Sequence, residues 1–241
     1  MRIAVAGGTG VVGKHIVRVA TDAGHEVLVL SRTNGVDLES GVGLNLAGVD
    51  VVVDVCGTST TSAKRSREFF ERTTSSLLRA EREAGVGHHI ALSIVGAAGV
   101  PHGYYAGKAL QERLVSSGEI PWTILRATQF FDFAHQVATR MGPLVVVPAI
   151  RSQPVSAADV AARLVGLVAS GPVGNARDLA GPREERMVEL TRAWWKKTGA
   201  PGRVVEFPLP GGFGRALRDG AILPGPDAQL TTQTFAEWLR S

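Results

Sequence analysis

Apolar runs alternate with amphipathic runs along the first half of the chain. The apolar runs, many of them rich in β-branched residues, predict five strands, at 2–6, 25–30, 50–56, 89–95 and 121–127. The amphipathic runs predict three helices between them, at 11–23, 62–84 and 104–117. Strands separated by helical crossovers predict an α/β fold with a doubly wound parallel sheet, whose ligands lie at the carboxyl ends of the strands.

This pattern weakens in two places. Between 31 and 50, Gly41, Gly43 and Gly48 break any long helix and predict a short third strand and a short crossover. Beyond 127 the pattern predicts a short strand at 144–147, helices at 157–170, 183–198 and 234–240, and a turn-rich break at 208–214. We interpret 1–241 as one domain, with a small C-terminal substrate lobe formed roughly by 128–150 and 183–241.

A glycine-rich turn joins the first predicted strand to the first predicted helix. Gly7 allows a tight turn out of the strand, Gly10 lets a pyrophosphate approach the backbone, and Gly13 lets the helix lie close to the strand. The helix N-terminus offers free N–H groups and a partial positive charge to phosphates. Strand, glycine turn and helix in this order predict a Rossmann-like dinucleotide site, whereas an isolated glycine triplet would be weak support.

The end of the second predicted strand bears on which dinucleotide binds. An acidic residue near this position would bind the ribose hydroxyls of NAD, but the sequence has Arg32, nineteen residues after Gly13. An arginine fork matches a 2′-phosphate. We therefore expect NADP(H) to be preferred and keep NAD(H) as the alternative. The competing interpretation of Arg32 is a solvated loop side chain.

Composition excludes several functions and allows others. The chain has 241 residues, 44% of them hydrophobic, and a formal charge of +4. The basic residues at 64–67 are followed by acidic ones, which predicts a solvated helix face and no nucleic-acid site. The single cysteine, Cys56, excludes an internal disulfide and a multi-cysteine metal site, and we expect a small core residue. His88 and His89 are interpreted as a loop pair without further ligands at metal spacing.

Targeting signals and long apolar runs are not found in this sequence. No stretch approaches the length that a bilayer requires, and no secretory signal precedes the first strand. We therefore expect a cytoplasmic protein without a membrane partner. The sequence leaves open whether it forms a homo-oligomer.

Three residues further along have the chemistry of proton transfer. Tyr104 and Lys108 are four apart and share one helix face, and Ser93 ends the preceding strand. A lysine ammonium and a positive nicotinamide ring stabilise phenolate, so the tyrosine can exchange protons near neutral pH. The serine hydroxyl then holds the substrate oxygen while hydride moves from the nicotinamide to carbon. The alternatives are a packing tyrosine and a serine that caps a loop.

With the glycine turn, these residues resemble the short-chain dehydrogenase/reductase superfamily. The segments 92–96, 104–108, 122–130 and 234–239 are similar to its atypical branch, the NAD(P)H-binding proteins related to the regulator NmrA. The likeness covers nearly the whole chain. It departs where the family has proline and this chain has Ala127, and in the short region 31–50.

The resemblance implies roles for particular residues. The pyrophosphate would lie against the turn, Asp37 and Leu38 would edge the adenine, and Lys108 would bind the nicotinamide ribose. The residues it implies around the cofactor are Gly7, Thr9, Gly10, Val11, Val12, Asp37, Leu38, Cys56, Gly57, Thr58, Lys108, Thr128 and Phe130.

Three functions remain open at this point. The first is an NADPH-dependent oxidoreductase that transfers hydride to a carbonyl or quinone of small or medium size, with Ser93, Tyr104 and Lys108 as catalytic residues. The second is a cofactor sensor that binds protein partners without catalysis. The third is a redox-neutral epimerase, dehydratase, isomerase or cyclase. The aromatic residues after 129 favour an apolar or ring-bearing small-molecule substrate.

Overall fold

A computed structural model describes residues 1–241. The first eight elements alternate between strand and helix, except that the second strand is followed by the third with no α-helix between them. They are β1 (Arg2–Ala6), α1 (Val11–Asp22), β2 (Glu26–Leu30), β3 (Val51–Asp54), α2 (Ala63–Ala84), β4 (His88–Ile94), α3 (Gly103–Ser116) and β5 (Trp122–Ala127).

The second half of the chain has shorter elements. They are α4 (Phe133–Gln136), β6 (Thr139–Met141), β7 (Leu144–Pro148), β8 (Arg151–Ser152), α5 (Ala157–Ser170), β9 (Gly174–Asn175), β10 (Leu179–Ala180), β11 (Glu185–Arg186), α6 (Met187–Thr198), β12 (Arg203–Phe207), α7 (Gly211–Arg218), β13 (Gln229–Leu230) and α8 (Phe235–Trp238). The chain divides into two compact units, 1–126 with 157–177, and 127–156 with 178–241.

The first unit is built on a parallel sheet. Its strands lie in the order β2-β1-β3-β4-β5, and β9 pairs with β5. The pairs β1–β2, β1–β3 and β3–β4 are all parallel. α1 packs against α5, and α2 packs against α3. The predicted α/β fold with a parallel, Rossmann-like sheet is confirmed.

The core of the first unit follows from the burial of whole strands. β3 is buried along its length, and β4 is buried except at its last residue. One cluster of buried apolar side chains joins β1, β3 and α2 and includes Ala4, Val52 and Leu77. Because both faces of β3 are covered, its first three residues form a continuous apolar run in the sequence.

The segment between β2 and β3 contains no α-helix. It has a 3-10 turn at Arg32–Asn34 and an isolated bridge between Asp37 and Val42. β3 pairs directly with β1, so this short segment crosses from one side of β1 to the other. The glycine-rich composition predicted a short connection here, and the structure has one.

Two interpretations of local structure were wrong. His88 and His89 do not form a loop pair, because they begin β4 and both are buried. The break predicted at 208–214 contains the first half of α7, which begins at Gly211. Glycines weaken the helical pattern there, but a Cβ on Gly214 would lie 1.9 Å from the Leu209 oxygen, so this tightly packed helix requires glycine.

The second unit contains a three-stranded sheet in the order β12-β7-β6 and a short antiparallel pair of β8 and β11. β12 is parallel to β7, and β6 is antiparallel to it. An aromatic cluster of Phe131, Phe235 and Trp238 packs within this unit. That this unit binds substrate stays a prediction.

Candidate cofactor and active site

Backbone hydrogen bonds hold the glycine turn after β1. Gly7 has a φ of +82°, its N–H donates to the Leu30 oxygen at 3.1 Å, and the Gly10 N–H donates to the Gly7 oxygen at 2.9 Å. A Cβ on Gly13 would lie 2.2 Å from the Gly7 oxygen and 2.6 Å from the Gly8 Cα. Only glycine at position 13 lets α1 begin this close to the turn.

The N-terminus of α1 is open to an anion. Its N-cap residue, Gly10, has no side chain to accept from the helix, and no acidic residue lies in the first turn. The N–H groups of Val11, Val12 and Gly13 make no hydrogen bond within the chain. Thr9 and Gly10 are exposed, and Val11 is 45% exposed. Three free donors at the positive end of a helix fit a diphosphate.

Arg32 lies at the carboxyl end of β2. It is exposed in the 3-10 turn that follows the strand. The Ser31 hydroxyl bonds the hydroxyl of Thr33 at 2.8 Å and donates to the Asn34 amide oxygen at 3.2 Å, which fixes the turn around Arg32. The guanidinium carries a positive charge at the same end of the sheet as the glycine turn.

The residues that the resemblance assigns to the adenine differ in orientation. Asp37 accepts from the Ser40 hydroxyl at 2.6 Å and from the Glu39 N–H at 3.1 Å, and these bonds, together with the Arg32 charge, lower its pKa. Leu38 is buried in the core cluster with Leu30 and Leu46. The Leu38 side chain therefore packs in the hydrophobic core of the first unit.

The loop after β3 turns its one thiol inward. Cys56 is buried in the same core cluster, and burial raises the pKa of its thiol well above the ordinary value. Gly57 is exposed and Thr58 is half-buried. A ligand beside this loop would therefore meet Gly57 and Thr58 before Cys56.

Lys108 is buried at the carboxyl ends of β3 and β4. Its ammonium donates to the Leu92 oxygen at 2.7 Å, to the Gln111 side-chain oxygen at 2.7 Å and, more weakly, to the Cys56 oxygen at 3.4 Å. Its Nζ also lies 4.4 Å from the centre of the Phe70 ring. Burial lowers the pKa of Lys108 to about 8.

The Gln111 amide continues this network to a carboxylate. Its Nε2 donates to Asp54 Oδ2 at 2.7 Å, and Asp54 Oδ1 accepts from the Cys56 N–H at 2.9 Å. Asp54 and Gln111 are both fully buried. Neither residue belongs to a motif that is recognisable in the sequence. The available signals were a carboxylate inside an apolar strand and a glutamine three residues after Lys108 on one helix.

Tyr104 lies in the first turn of α3. Its ring packs edge-on against Phe70, and the ring centre lies 5.8 Å from Lys108 Nζ. A Cβ on Gly57 would lie 3.5 Å from its hydroxyl, so the phenol reaches the loop after β3. Burial, with Asp54 and Cys56 nearby, raises its pKa. This direction is opposite to the lowered pKa expected from the Tyr-Lys pair.

Ser93 lies near the carboxyl end of β4 with its side chain buried. Its hydroxyl has no hydrogen-bond partner in the chain. A buried hydroxyl without a partner costs free energy, which a ligand oxygen can recover. Ser93 follows Leu92, whose carbonyl accepts from Lys108, so the backbone brings the serine next to the lysine.

Thr128 and Phe130 lie in the second unit. The Thr128 hydroxyl donates to the Gln153 oxygen at 2.6 Å, and Phe130 is half-buried in a bridge with Val155. Their predicted place around the cofactor stays a prediction.

Two further observations concern the kind of site. The structure brings no three His, Cys, Asp or Glu side chains together in a group that could hold a metal ion. Among the helices, none combines the length and the apolar character needed to cross a bilayer.

Comparison with known proteins gives the family. The chain belongs to the NAD(P)H-binding family, which matches residues 36–170. The photosystem II assembly factor Ycf39 of Synechocystis sp. is 29% identical over 149 residues, 55% of this chain and 46% of Ycf39. This chain thus matches about half the length of that relative. The resemblance stated from the sequence is confirmed.

Solved structures give the fold. A UDP-glucose 4-epimerase from Bifidobacterium longum in complex with NAD+ and UDP superimposes with a TM-score of 0.70 at 15% identity, covering 97% of this chain and 90% of that one. TunA, an NAD-dependent NDP-hexosamine 5,6-dehydratase of tunicamycin biosynthesis, has a TM-score of 0.67 at 16% identity, covering 96% and 87%. At these identities the likeness extends to the fold alone. Nicotinamide dinucleotide binding follows from the family.

Proposed function

We propose that this member of the NAD(P)H-binding family is an NADPH-dependent reductase of a carbonyl or quinone compound. The observation that supports it best is the group of side chains at the ends of β3 and β4. There the buried Lys108 donates to the Leu92 oxygen, and the hydroxyl of Ser93 has no partner. The centre of the Tyr104 ring lies 5.8 Å from the Lys108 ammonium. These are the functional groups that proton transfer beside a hydride donor requires.

The glycine turn and Arg32 would hold the dinucleotide. The free N–H groups of Val11, Val12 and Gly13 would donate to the pyrophosphate, with Thr9 and Gly10 alongside. The Arg32 guanidinium would pair with the 2′-phosphate that distinguishes NADPH from NADH. An exposed arginine at the end of β2, in a turn fixed by Ser31, supports this preference.

The chain's own residues would move the proton. A bound nicotinamide would supply the hydride, to the carbonyl carbon of an aldehyde or ketone or to the far oxygen of a quinone. Ser93 would donate a hydrogen bond to the carbonyl oxygen, and Tyr104 would give that oxygen its proton. The raised pKa of Tyr104 keeps the phenol protonated but makes it a weaker acid, so its proton would move only as negative charge develops on the substrate oxygen. The product is the alcohol or hydroquinone, and the phenolate recovers its proton from solvent.

We propose an apolar or ring-bearing small molecule as substrate, in the cytoplasm, with neither nucleic acid nor membrane as partner. Phe130 and Phe133 support an apolar ligand because both are only half-buried, whereas Phe131 is buried in the core of its unit. The sheet fold itself carries no information about the substrate.

Two measurements on the purified chain test the proposal. Titration with NADPH and with NADH should show tighter binding of NADPH, and Arg32→Ala should remove the difference. Oxidation of NADPH is then followed with a panel of aldehydes, ketones and quinones. Tyr104→Phe should abolish turnover while cofactor binding is kept, and Tyr105→Phe is the matched control. No oxidation with any acceptor would contradict the reductase.

A second candidate function is a cofactor-binding regulator without catalysis. The Lys108 ammonium already donates to three acceptors in the chain, and the Tyr104 pKa is raised, which favours a structural role for both residues. Ycf39 is named as an assembly factor. Under this alternative, binding of a protein partner would respond to the NADP+/NADPH ratio and would be unchanged in Tyr104→Phe.

A third candidate is redox-neutral chemistry. The proteins that superimpose include epimerases and a dehydratase. Formation of product with no net change in NADPH absorbance, lost in Tyr104→Phe, would replace the reductase with this alternative.

A further inference from the structure

A buried charged network behind the proposed site includes Asp54 and Gln111, two residues that the proposed reaction does not use. Asp54 Oδ2 accepts from Gln111 Nε2 at 2.7 Å, and Gln111 Oε1 accepts from Lys108 Nζ at 2.7 Å. All three side chains are at most 2% exposed. A carboxylate and an ammonium are therefore joined through one amide, and we call Asp54 and Gln111 the buried arm.

The arm determines which way the Gln111 amide faces. Its nitrogen must face the carboxylate and its oxygen must face the ammonium, because a carboxylate only accepts and an ammonium only donates. Asp54 thus acts on Lys108 through the oriented Gln111 amide, without direct contact. A buried lysine without an opposite charge would lose its proton, and the arm counters that loss.

The arm also determines where the ammonium lies. Two of the three Lys108 bonds are short, to Gln111 and to the Leu92 oxygen. The third, to the Cys56 oxygen, is 3.4 Å long and is the weakest. It is the bond that a ligand hydroxyl at the loop after β3 can replace at least cost.

We propose that Asp54 and Gln111 are positioning residues that keep Lys108 charged and direct its third N–H toward a ribose hydroxyl of the bound dinucleotide. This inference rests on the proposed function, because it requires a dinucleotide at the glycine turn. Neither residue touches the ligand; both act through Lys108.

The groups that titrate around Lys108 and its arm come from β3 with the loop after it, from β4 and from α3. Raised pKa values keep Cys56 as thiol and Tyr104 as phenol at neutral pH. Glu112 is paired with Arg126 of β5. His89 contacts Glu81, and its pKa is also raised by the charge of Asp54, which Gln111→Met leaves in place. The difference between wild type and Gln111→Met therefore reports on Lys108.

The test measures the NADPH dissociation constant of the full chain at pH 6.5 and at pH 8.5. Wild type should bind a few-fold more weakly at the higher pH, because Lys108 has a pKa of about 8. Gln111→Met removes the connection to Asp54, so we expect the ratio of the two constants to exceed about tenfold. If Gln111 had only a structural role, its substitution would weaken NADPH binding equally at both pH values.

A charge exchange within the arm gives the second variant, Asp54→Asn combined with Gln111→Glu. The carboxylate then stands beside Lys108, and the amide introduced on β3 donates its N–H to that carboxylate while its oxygen still accepts from the Cys56 N–H. Every hydrogen bond is kept and the net charge is unchanged. We expect binding to recover and its pH ratio to fall below about twofold, because direct contact with a carboxylate keeps the ammonium charged.

The control is Thr123→Val, which removes a buried hydrogen bond to His88 in the same unit, outside the arm. It should keep the wild-type pH ratio. If Gln111→Met and the exchanged pair both keep that ratio while binding NADPH, the arm does not act on Lys108 and this inference is wrong. If wild type binds neither NADPH nor NADH at either pH, the proposed function fails, and this inference fails with it.

Discussion

Replacing Gly13 with alanine should separate the packing of the glycine turn from its binding role. The added Cβ would lie 2.2 Å from the Gly7 oxygen, 2.6 Å from the Gly8 Cα and 2.8 Å from the Gly8 carbonyl carbon. All three atoms belong to the backbone and cannot rotate away. Ordinary contact begins near 3.4 Å, so α1 must move by about 1 Å relative to the turn.

The cost follows from what α1 buries. Val12, Ile16 and Ala20 form its buried face, and a shift of this size loosens all three. Forcing a methyl group into a packed core costs about 3 kcal/mol at the upper end of the usual range. Alanine in the first turn of a helix regains at most about 1 kcal/mol over glycine, the value for a helix interior. The net loss is about 2 kcal/mol, which for a chain of this size lowers the Tm by about 4–8 °C.

Gly10→Ala is the matched control. Gly10 has φ −76° and ψ −178°, which alanine adopts readily, and a Cβ there would meet only the Gly7 oxygen, at 3.2 Å. We expect a stability loss below about 1 kcal/mol. The methyl group would nevertheless stand beside the free N–H groups of α1, so the affinity for NADPH should fall at least about tenfold.

The assays are thermal unfolding without cofactor and fluorescence titration with NADPH. Gly13→Ala should lose stability, and Gly10→Ala should lose affinity at nearly normal stability. A Gly13→Ala protein with the wild-type Tm would refute the packing argument. A Gly10→Ala protein with wild-type affinity would refute the phosphate site.

Three further predictions concern buried or partly buried groups. Burial lowers the pKa of His88 to about 4, against about 6.5 in the unfolded chain, so its contribution to stability is complete above pH 6.5 and is lost as the pH falls toward 4. Urea unfolding at pH 7 and pH 5 should therefore show a smaller loss in His88→Gln than in wild type. Glu112→Gln removes the charge that pairs with Arg126 in two bonds of 2.7 and 2.8 Å, and should cost about 1–2 kcal/mol in the same assay. The Cys56 thiol should react with a thiol reagent at least about a hundredfold more slowly than a free thiol until the chain unfolds, because its pKa is raised and it is buried; rapid labelling of native protein would contradict this.

Strong periodicity accounts for the parts of the fold that the sequence predicted well. α5 has the predicted bounds, and α2 begins one residue after its predicted start because Ser62 is its N-cap and accepts from the Arg65 N–H. Gly85 ends α2 in the left-handed conformation. Such signals are local, and they can be found without knowledge of the fold.

The misplaced histidines show what local signals leave out. Two histidines after Gly87 resemble a polar loop, but each has a partner on another element. His88 bonds the Thr123 hydroxyl at 2.9 Å, and His89 bonds the Glu81 carboxylate at 2.8 Å. Although burial alone lowers the pKa of His89, the Glu81 charge raises it overall. Polar residues enter this strand because α2 and β5 supply their partners, and it is the fold that brings those partners to the strand.

Residue spacing likewise identified Lys108 and missed what surrounds it. Tyr104 and Lys108 form a pattern within one helical turn, whereas Asp54 reaches the lysine from another strand through Gln111.

The two ends of the proposed cofactor site are consequently built in different ways. The N–H groups at the start of α1 are free, so phosphates can bind there without rearrangement. Each Lys108 donor is already used, so a ribose can bind there only by replacing an existing bond. The phosphate end must therefore supply most of the affinity, and the lysine end contributes only the difference between two hydrogen bonds, which makes it sensitive to the charge that Asp54 provides.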